Sequence, residues 1–282
     1  MSALVATLDD LVEQKNATKL DYKVKVLKAS GFDNGEIKSK FKGRGLELEE
    51  VREYVFGDDI RDIDWRVSAR KNEPYTKIYS VERDVETYIF LDLSASMIFG
   101  TQTELKSVTA CKMAALLGWL ALENKDKLGM IIFDGKQNYV FKPRGGIKQF
   151  MAILKQVSEL SESILQNTAD EVSIEDSLSL LQQYIKSDGV CFIVSDFAWF
   201  NENTEAKLLA ILKKSNTSLI KIADVLERYA PPTGNYLAEY ANEKILISSN
   251  KTYQNKYQEY FMAKEQKLKE FCNFYGGRLF TS

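Results

Sequence analysis

The sequence predicts an α/β protein: a mostly parallel sheet flanked by helices, with an α+β extension on its N-terminal side. Three observations lead there. Short apolar runs rich in β-branched and aromatic residues recur at residues 88–91, 128–133, 190–194 and 218–223. Segments with helical spacing of apolar residues separate them, as in strand-helix-strand crossovers. Two of the runs end in a carboxylate, Asp92 and Asp196, and ligands of open parallel sheets gather outside the carboxyl ends of the strands.

The central stretch is residues 86–100, ETYIFLDLSASMIFG. Tyr88, Ile89, Phe90 and Leu91 form a run suited to burial on both faces, and a loop opens at Asp92. Asp92, Ser94 and Ser96 fall at every second position, so one carboxylate and two hydroxyls can converge. These are hard oxygen donors suited to Mg²⁺ or Mn²⁺. A helix is expected over residues 103–124, started by a capping box of Thr101 and Glu104, with Leu105, Val108, Cys111, Ala115 and Leu116 along its apolar stripe. Its dipole opposes a cation at the loop, so the Asp92 carboxylate has to outweigh it, or a bound acidic partner has to share the load.

Composition removes several classes of chemistry. The chain has no histidine, so Ser-His-Asp, Cys-His and His-Glu-x-x-His sites are excluded. Its formal net charge of -2 gives no global attraction to nucleic acid or anionic membrane. Cys111, Cys191 and Cys272 lie far apart in apolar surroundings, without zinc or disulfide spacing. The acidic start MSALVATLDD lacks the pattern of a signal peptide, and no run of eighteen apolar residues occurs. A cytoplasmic protein with no membrane span is expected.

Two regions are expected, residues 1–85 packed on residues 86–282. The first opens with a helix over residues 3–14, followed by a helix or strand over residues 19–28. In residues 37–45, Lys38, Lys40, Lys42 and Arg44 alternate with Ser39, Phe41 and Gly43. That pattern reads as an edge strand guarded by lysines, and alternatively as a phosphate-contacting patch. Residues 46–70 are dense in opposite charges, with Glu49, Glu50, Asp58, Asp59, Asp62 and Asp64 against Arg52, Arg61, Arg66 and Arg70. They read as Arg-carboxylate pairs locking the segment on the main sheet, with Trp65 in the core. A strand follows at residues 75–79.

In the second region, helices are expected over residues 147–160, 173–186, 202–214 and 253–275, with a loop over residues 228–234 and short strands at residues 139–141, 244–248 and 278–281. Gly276 and Gly277 stop the last helix.

The stretch GRGLELEEVREYVFGDDIRDIDWRVSAR followed by FLDLSASM, with Ser195-Asp196-Phe197 and the turn at residues 224–227, resembles the domain-of-unknown-function 58 family. The second half of that family is similar to a von Willebrand factor A domain. The resemblance implies a Rossmann-like domain carrying a metal-ion-dependent adhesion site. In such a site DxSxS, a middle-loop threonine and a later strand-end aspartate hold Mg²⁺. Asp92, Ser94, Ser96 and Asp196 carry over. The threonine does not: Glu171, Val172 and Ser173 stand before the next helix, leaving Ser173 or Thr168 for its place.

No complete catalytic constellation is present. Phosphatases that begin with a strand-end aspartate require a second carboxylate two residues on, where this chain has Ser94. In residues 100–107, GTQTELKS, Leu105 stands where a phosphate loop needs glycine. The expected function is therefore a non-catalytic interaction module that binds a partner's carboxylate through its metal. The resemblance implies a MoxR-type AAA+ ATPase as that partner, in chaperone-like assembly. The alternatives are a metal-dependent phosphohydrolase, and nucleic-acid binding through Lys38, Lys40, Lys42 and Arg44.

Overall fold

Burial of one strand on both faces organises the larger part of the molecule. Strand β3 (Glu86–Asp92) is buried throughout except at its first residue. Because side chains alternate across a strand, Ile89 and Leu91 enter one core and Tyr88 and Phe90 the other. The structure, a computed structural model, describes residues 4–17, 46–81, 85–166, 171–187, 189–240 and 243–281. Of these, residues 4–17 and 85–281 form one compact unit and residues 46–81 another.

In the larger unit β3 pairs in parallel with β4 (Lys127–Phe133) on one side and β6 (Val190–Ser195) on the other. Strand β5 (Asn138–Arg144) runs antiparallel to β4 at one edge, while β7 (Asn216–Lys221) and β10 (Arg278–Thr281) extend the parallel side. The sheet order is β10-β7-β6-β3-β4-β5. Counted from β3, this is the doubly wound order 3-2-1-4-5-6, whose direction of winding reverses between β3 and β6. The fold is thus mixed α/β with a mostly parallel sheet.

Helices cover both faces. On one side lie α1 (Leu8–Ala17), α3 (Lys106–Glu123) and α4 (Ile147–Ser163); on the other, α5 (Ile174–Tyr184), α6 (Glu202–Lys214) and α8 (Lys251–Tyr275). The almost wholly apolar α3 is buried from Ala114 to Ala121. Its Gly118 admits the Phe150 ring of α4: a Cβ there would fall 2.3 Å from that ring. Helix α8 ends as the sequence predicts, at Gly276, whose φ of 77° suits the left-handed cap.

Several expectations need correction. Thr101 and Glu104 do not cap the third helix. Helix α3 begins at Lys106 after Leu105, with no side-chain cap; Thr101 instead bonds Asp224, and Glu104 accepts from Thr109 and Lys112. The loop expected over residues 228–234 leads into a strand that was not expected, β8 (Gly234–Tyr240), in a hairpin with β9 (Glu243–Ser249). Helix α1 also belongs to the larger unit, although the expected boundary grouped all of residues 1–85. Its Leu11 is fully buried, and the Leu11 carbonyl accepts from Trp119 Nε1 at 3.1 Å.

The smaller unit holds the antiparallel pair β1 (Leu46–Glu53) and β2 (Tyr75–Val81), with α2 (Trp65–Lys71) between them in sequence. Arg52 pairs with Asp58, while Asp59 and Asp64 cap the short helices that follow them. Hydrogen bonds from the Val67 and Arg66 amides hold the Asp64 carboxyl below its usual range against partial desolvation. Trp65, expected in the core, is 69% exposed, because it is the first residue of α2 and that helix buries no residue. Residues 19–28 and 37–45, with Lys38, Lys40, Lys42 and Arg44, lie outside the described residues.

Asp126 sits at the amino end of the sheet, where Thr87 Oγ1 donates to it at 2.8 Å. Burial raises its pKa to about 6, and the Thr87 bond only partly offsets that. The folded protein therefore holds this proton through a range in which the unfolded chain, at about 3.9, has released it, so stability falls as pH rises from about 4 to 6. Asp126→Asn keeps an acceptor for Thr87 and removes the buried charge. Urea denaturation is expected to show it more stable than the unmodified protein by on the order of 2 kcal/mol at pH 7.5, and level with it at pH 4. A loss of stability at pH 7.5 would contradict this.

Candidate functional site

The two strand-end carboxylates flank the point where the winding of the sheet reverses. Asp92 ends β3 and Asp196 follows β6, and these strands are hydrogen-bonded neighbours. The Asp92 carboxylate is fully buried. Its Oδ1 accepts from the Ser94 amide at 2.9 Å; its Oδ2 accepts from Ser195 Oγ at 2.5 Å and Trp199 Nε1 at 3.0 Å. Desolvation first, and the neighbouring Asp196 charge second, raise its pKa to about 6.

Ser195 ties the loops together, because its hydroxyl also accepts from the Phe197 amide and from Trp199 Nε1, each at 2.9 Å. Phe197 is held at a φ of 57°, a left-handed conformation that costs a bulky residue roughly 1 kcal/mol or more. The chain turns there after β6, and Trp199 beyond the turn reaches Asp92 at the end of β3.

Asp196 receives the Ala198 amide on Oδ1 at 2.9 Å, and on Oδ2 the ammonium of Lys106 at 2.7 Å. Lys106, the first residue of α3, is only 4% exposed. It also donates to Glu227 Oε1. Desolvation pulls its pKa down, but Asp196 and Glu227 outweigh it and the net shift is upward, so the side chain is a cation. Glu227 lies on the short helix α7 (Val225–Arg228), whose cap Asp224 accepts from both the amide and the hydroxyl of Thr101. Burial works against the Asp224 charge, yet the Thr101 and Leu226 bonds leave its pKa lowered. The loop before α3 is thereby fastened to α7.

A cavity of about 410 Å³ opens here. Ser96, Lys106, Asp196 and Glu227 line its floor, with Phe99, Phe200, Tyr260 and Phe261 around them. Lys221, Lys264 and Lys267 complete the wall. Lys264 lies over the Tyr260 ring, its Nζ 4.9 Å from the centroid, and Lys267 lies 5.9 Å from that of Phe200.

The residues expected to hold Mg²⁺ or Mn²⁺ are brought together only in part. Ser94 and Ser96 have their hydroxyls 3.3 Å apart, but Ser96 and Asp196 reach the cavity whereas Asp92 and Ser94 lie behind its wall. Ser173 caps α5 through the Glu175 amide, and Thr168 lies outside the described residues. Among the described residues no group of three or more carboxylate or thiol side chains is placed to hold an ion. The set does not fit a divalent metal as it stands, because an ion on Asp196 Oδ2 has to displace a buried ammonium and leave Glu227 without its partner.

Lys106, Glu227 and Trp199 are the site residues that motif spacing does not announce. A signal for Lys106 exists in the sequence: a lysine in the first turn of an apolar helix, where the dipole disfavours a cation. The Asp92–Trp199 bond can be measured directly. Trp199→Phe keeps the ring beside Phe197 but removes the donor, and is expected to lower stability by about 1–3 kcal/mol in urea denaturation at pH 7.5. In an Asp92→Asn background the loss is expected to shrink; strict additivity of the two substitutions would show that the bond links nothing.

Uncharacterised proteins of Mycobacterium bovis and Mycobacterium tuberculosis are 26% identical over 219 residues, which cover 78% of this chain and 68% of theirs. Among solved structures, an aerotolerance-related membrane protein from Bacteroides fragilis is similar with a TM-score of 0.44 and 15% identity, over 70% of this chain and 91% of that one. An uncharacterised membrane spanning protein from Vibrio fischeri gives a TM-score of 0.22 and 16% identity, over 71% and 90%. Both of these proteins are described as membrane proteins, which is said of them and not of this chain, and the cytoplasmic location expected above is corrected to no assigned compartment. Among the described residues no helix is long and apolar enough to cross a membrane, but that fact concerns helices and does not assign a compartment. Residues 50–269, well over half of the chain, match the family described as Protein of unknown function DUF58, and the chain belongs to that family.

Proposed function

We propose that this protein is a non-catalytic interaction module whose strand-end cleft binds an acidic segment of a partner protein. The observation that carries the reading is the pair Lys264 and Lys267. They stand three residues apart on one face of α8, exposed, with no carboxylate among the described residues at ion-pair distance. Aromatic rings beneath them offer an apolar bed, and a carboxylate flanked by apolar side chains complements both features.

The doubly wound strand order and a cleft at the reversal between β3 and β6 also support a Rossmann-like, von Willebrand factor A-like reading of the larger unit. The family resemblance supplies the choice of partner, a MoxR-type AAA+ ATPase; the chemistry of the cleft supplies only the acidic character of the segment that it presents.

Two experiments test this. Fluorescence anisotropy with a labelled hexaglutamate peptide is expected to show saturable, salt-sensitive binding, weakened about tenfold or more by Lys264→Glu together with Lys267→Glu. Both side chains are exposed, so the double variant is expected to melt within a degree or two of the unmodified protein. The same variant is expected to retain less of the MoxR-type ATPase from its own organism in a pull-down. No peptide binding, or tighter binding to a single-stranded RNA of equal charge, would overturn the cleft reading.

A further inference from the structure

We infer that Lys106 is the resident cation of this cleft: its ammonium supplies the positive charge that the sequence assigned to a metal ion, and its remaining N–H donates to the partner's carboxylate. The inference rests on the cleft reading above and concerns the same site.

The argument starts from hydrogen-bond capacity. An ammonium carries three donors. Among the described residues Lys106 has two acceptors, Asp196 Oδ2 and Glu227 Oε1. One N–H is left on a group that lines the cavity. A metal-ion-dependent adhesion site leaves one coordination position for an incoming carboxylate, and here an ammonium gripped by two carboxylates leaves one donor.

The placement of Lys106 carries structural costs. It is taken almost wholly out of water, it stands in the first turn of an eighteen-residue helix where the dipole repels it, and its ion pairs are buried, which seldom yields net stability. Apolar residues in place of the whole Lys106, Asp196 and Glu227 cluster would avoid these costs. A cation held there by three separate elements, α3, the turn after β6 and α7, is instead pre-organised for a ligand. The negative excess of the cluster is answered by Lys221, Lys264 and Lys267 in the same wall. Lys221 also lies 3.8 Å from Glu265.

Hexaglutamate binding is therefore expected to be the same in EDTA as in millimolar Mg²⁺; binding that needs Mg²⁺ would overturn the inference, and this comparison requires no variant. Lys106→Met alone strands the buried Asp196 carboxylate and the partly buried Glu227 and threatens the fold, so the variant to use combines Lys106→Met, Asp196→Asn and Glu227→Gln. It makes the cleft less negative, so general electrostatics would tighten peptide binding. Loss of the Lys106 donor is expected to weaken it about tenfold or more, the scale of one hydrogen bond to a charged group. If the folded triple variant binds as well as the unmodified protein while the Lys264→Glu, Lys267→Glu variant does not, the cleft reading stands and the role of Lys106 is refuted. If the unmodified protein binds no peptide, both fail together.

Discussion

Because β3 hydrogen-bonds to β4 on one side and to β6 on the other, with side chains alternating into two cores, neither of its faces nor its edges meets water. The chain can leave such a strand only at its end, and the first polar position there is Asp92. The crossovers on the two sides of β3 wind in opposite directions, so the loops after β3 and β6 diverge and a crevice is left between them. The site thus follows from the order of the strands, before any particular side chain is considered.

What fills that crevice is decided by charge. Asp92 and Asp196 are buried at neighbouring strand ends, Asp196 shares the Lys106 ammonium with the partly buried Glu227, and buried carboxylates are unstable without donors or a counter-charge. The chain meets part of this with neutral donors: Ser195, Trp199 and the Ser94 amide on Asp92, and the Ala198 amide on Asp196. The remainder falls to Lys106. Its position depends in turn on the fastening of Thr101 to Asp224 and on Gly100, where a Cβ would fall 2.4 Å from the Glu104 carbonyl oxygen. Loop, helix start and α7 are parts of one ion-pair geometry.

The strands at the centre of the sheet were legible because burial on both faces demands uninterrupted apolar runs, and helices α4, α5 and α6 because one-sided burial imposes helical spacing. Helix α3 was legible in its body and not in its start. Thr101 and Glu104 have the spacing of a capping box, but Asp224, distant in sequence, offers Thr101 two stronger bonds. Hairpin β8–β9 was half legible, since exposed residues such as Leu237 and Leu246 have little to pack against and so give no alternation. At the site, Asp92 and Asp196 could be found from strand ends. Lys106 and Glu227 could not be paired from sequence, because 121 positions separate them and only the folded loops bring them together.

The same geometry bears on the proposed reading of the cleft as a binding site. A general acid or base needs a group that titrates near neutral pH and also reaches the substrate. Asp92 has the first property, its pKa raised to about 6, but it is fully buried, does not line the cavity, and has both oxygens accepting hydrogen bonds. Asp196 has the second, but its Oδ2 is occupied by the Lys106 ammonium. The two requirements are divided between neighbouring strands. An arrangement that separates them presents fixed charges to a ligand, which is what the proposed recognition of an acidic segment asks of a site.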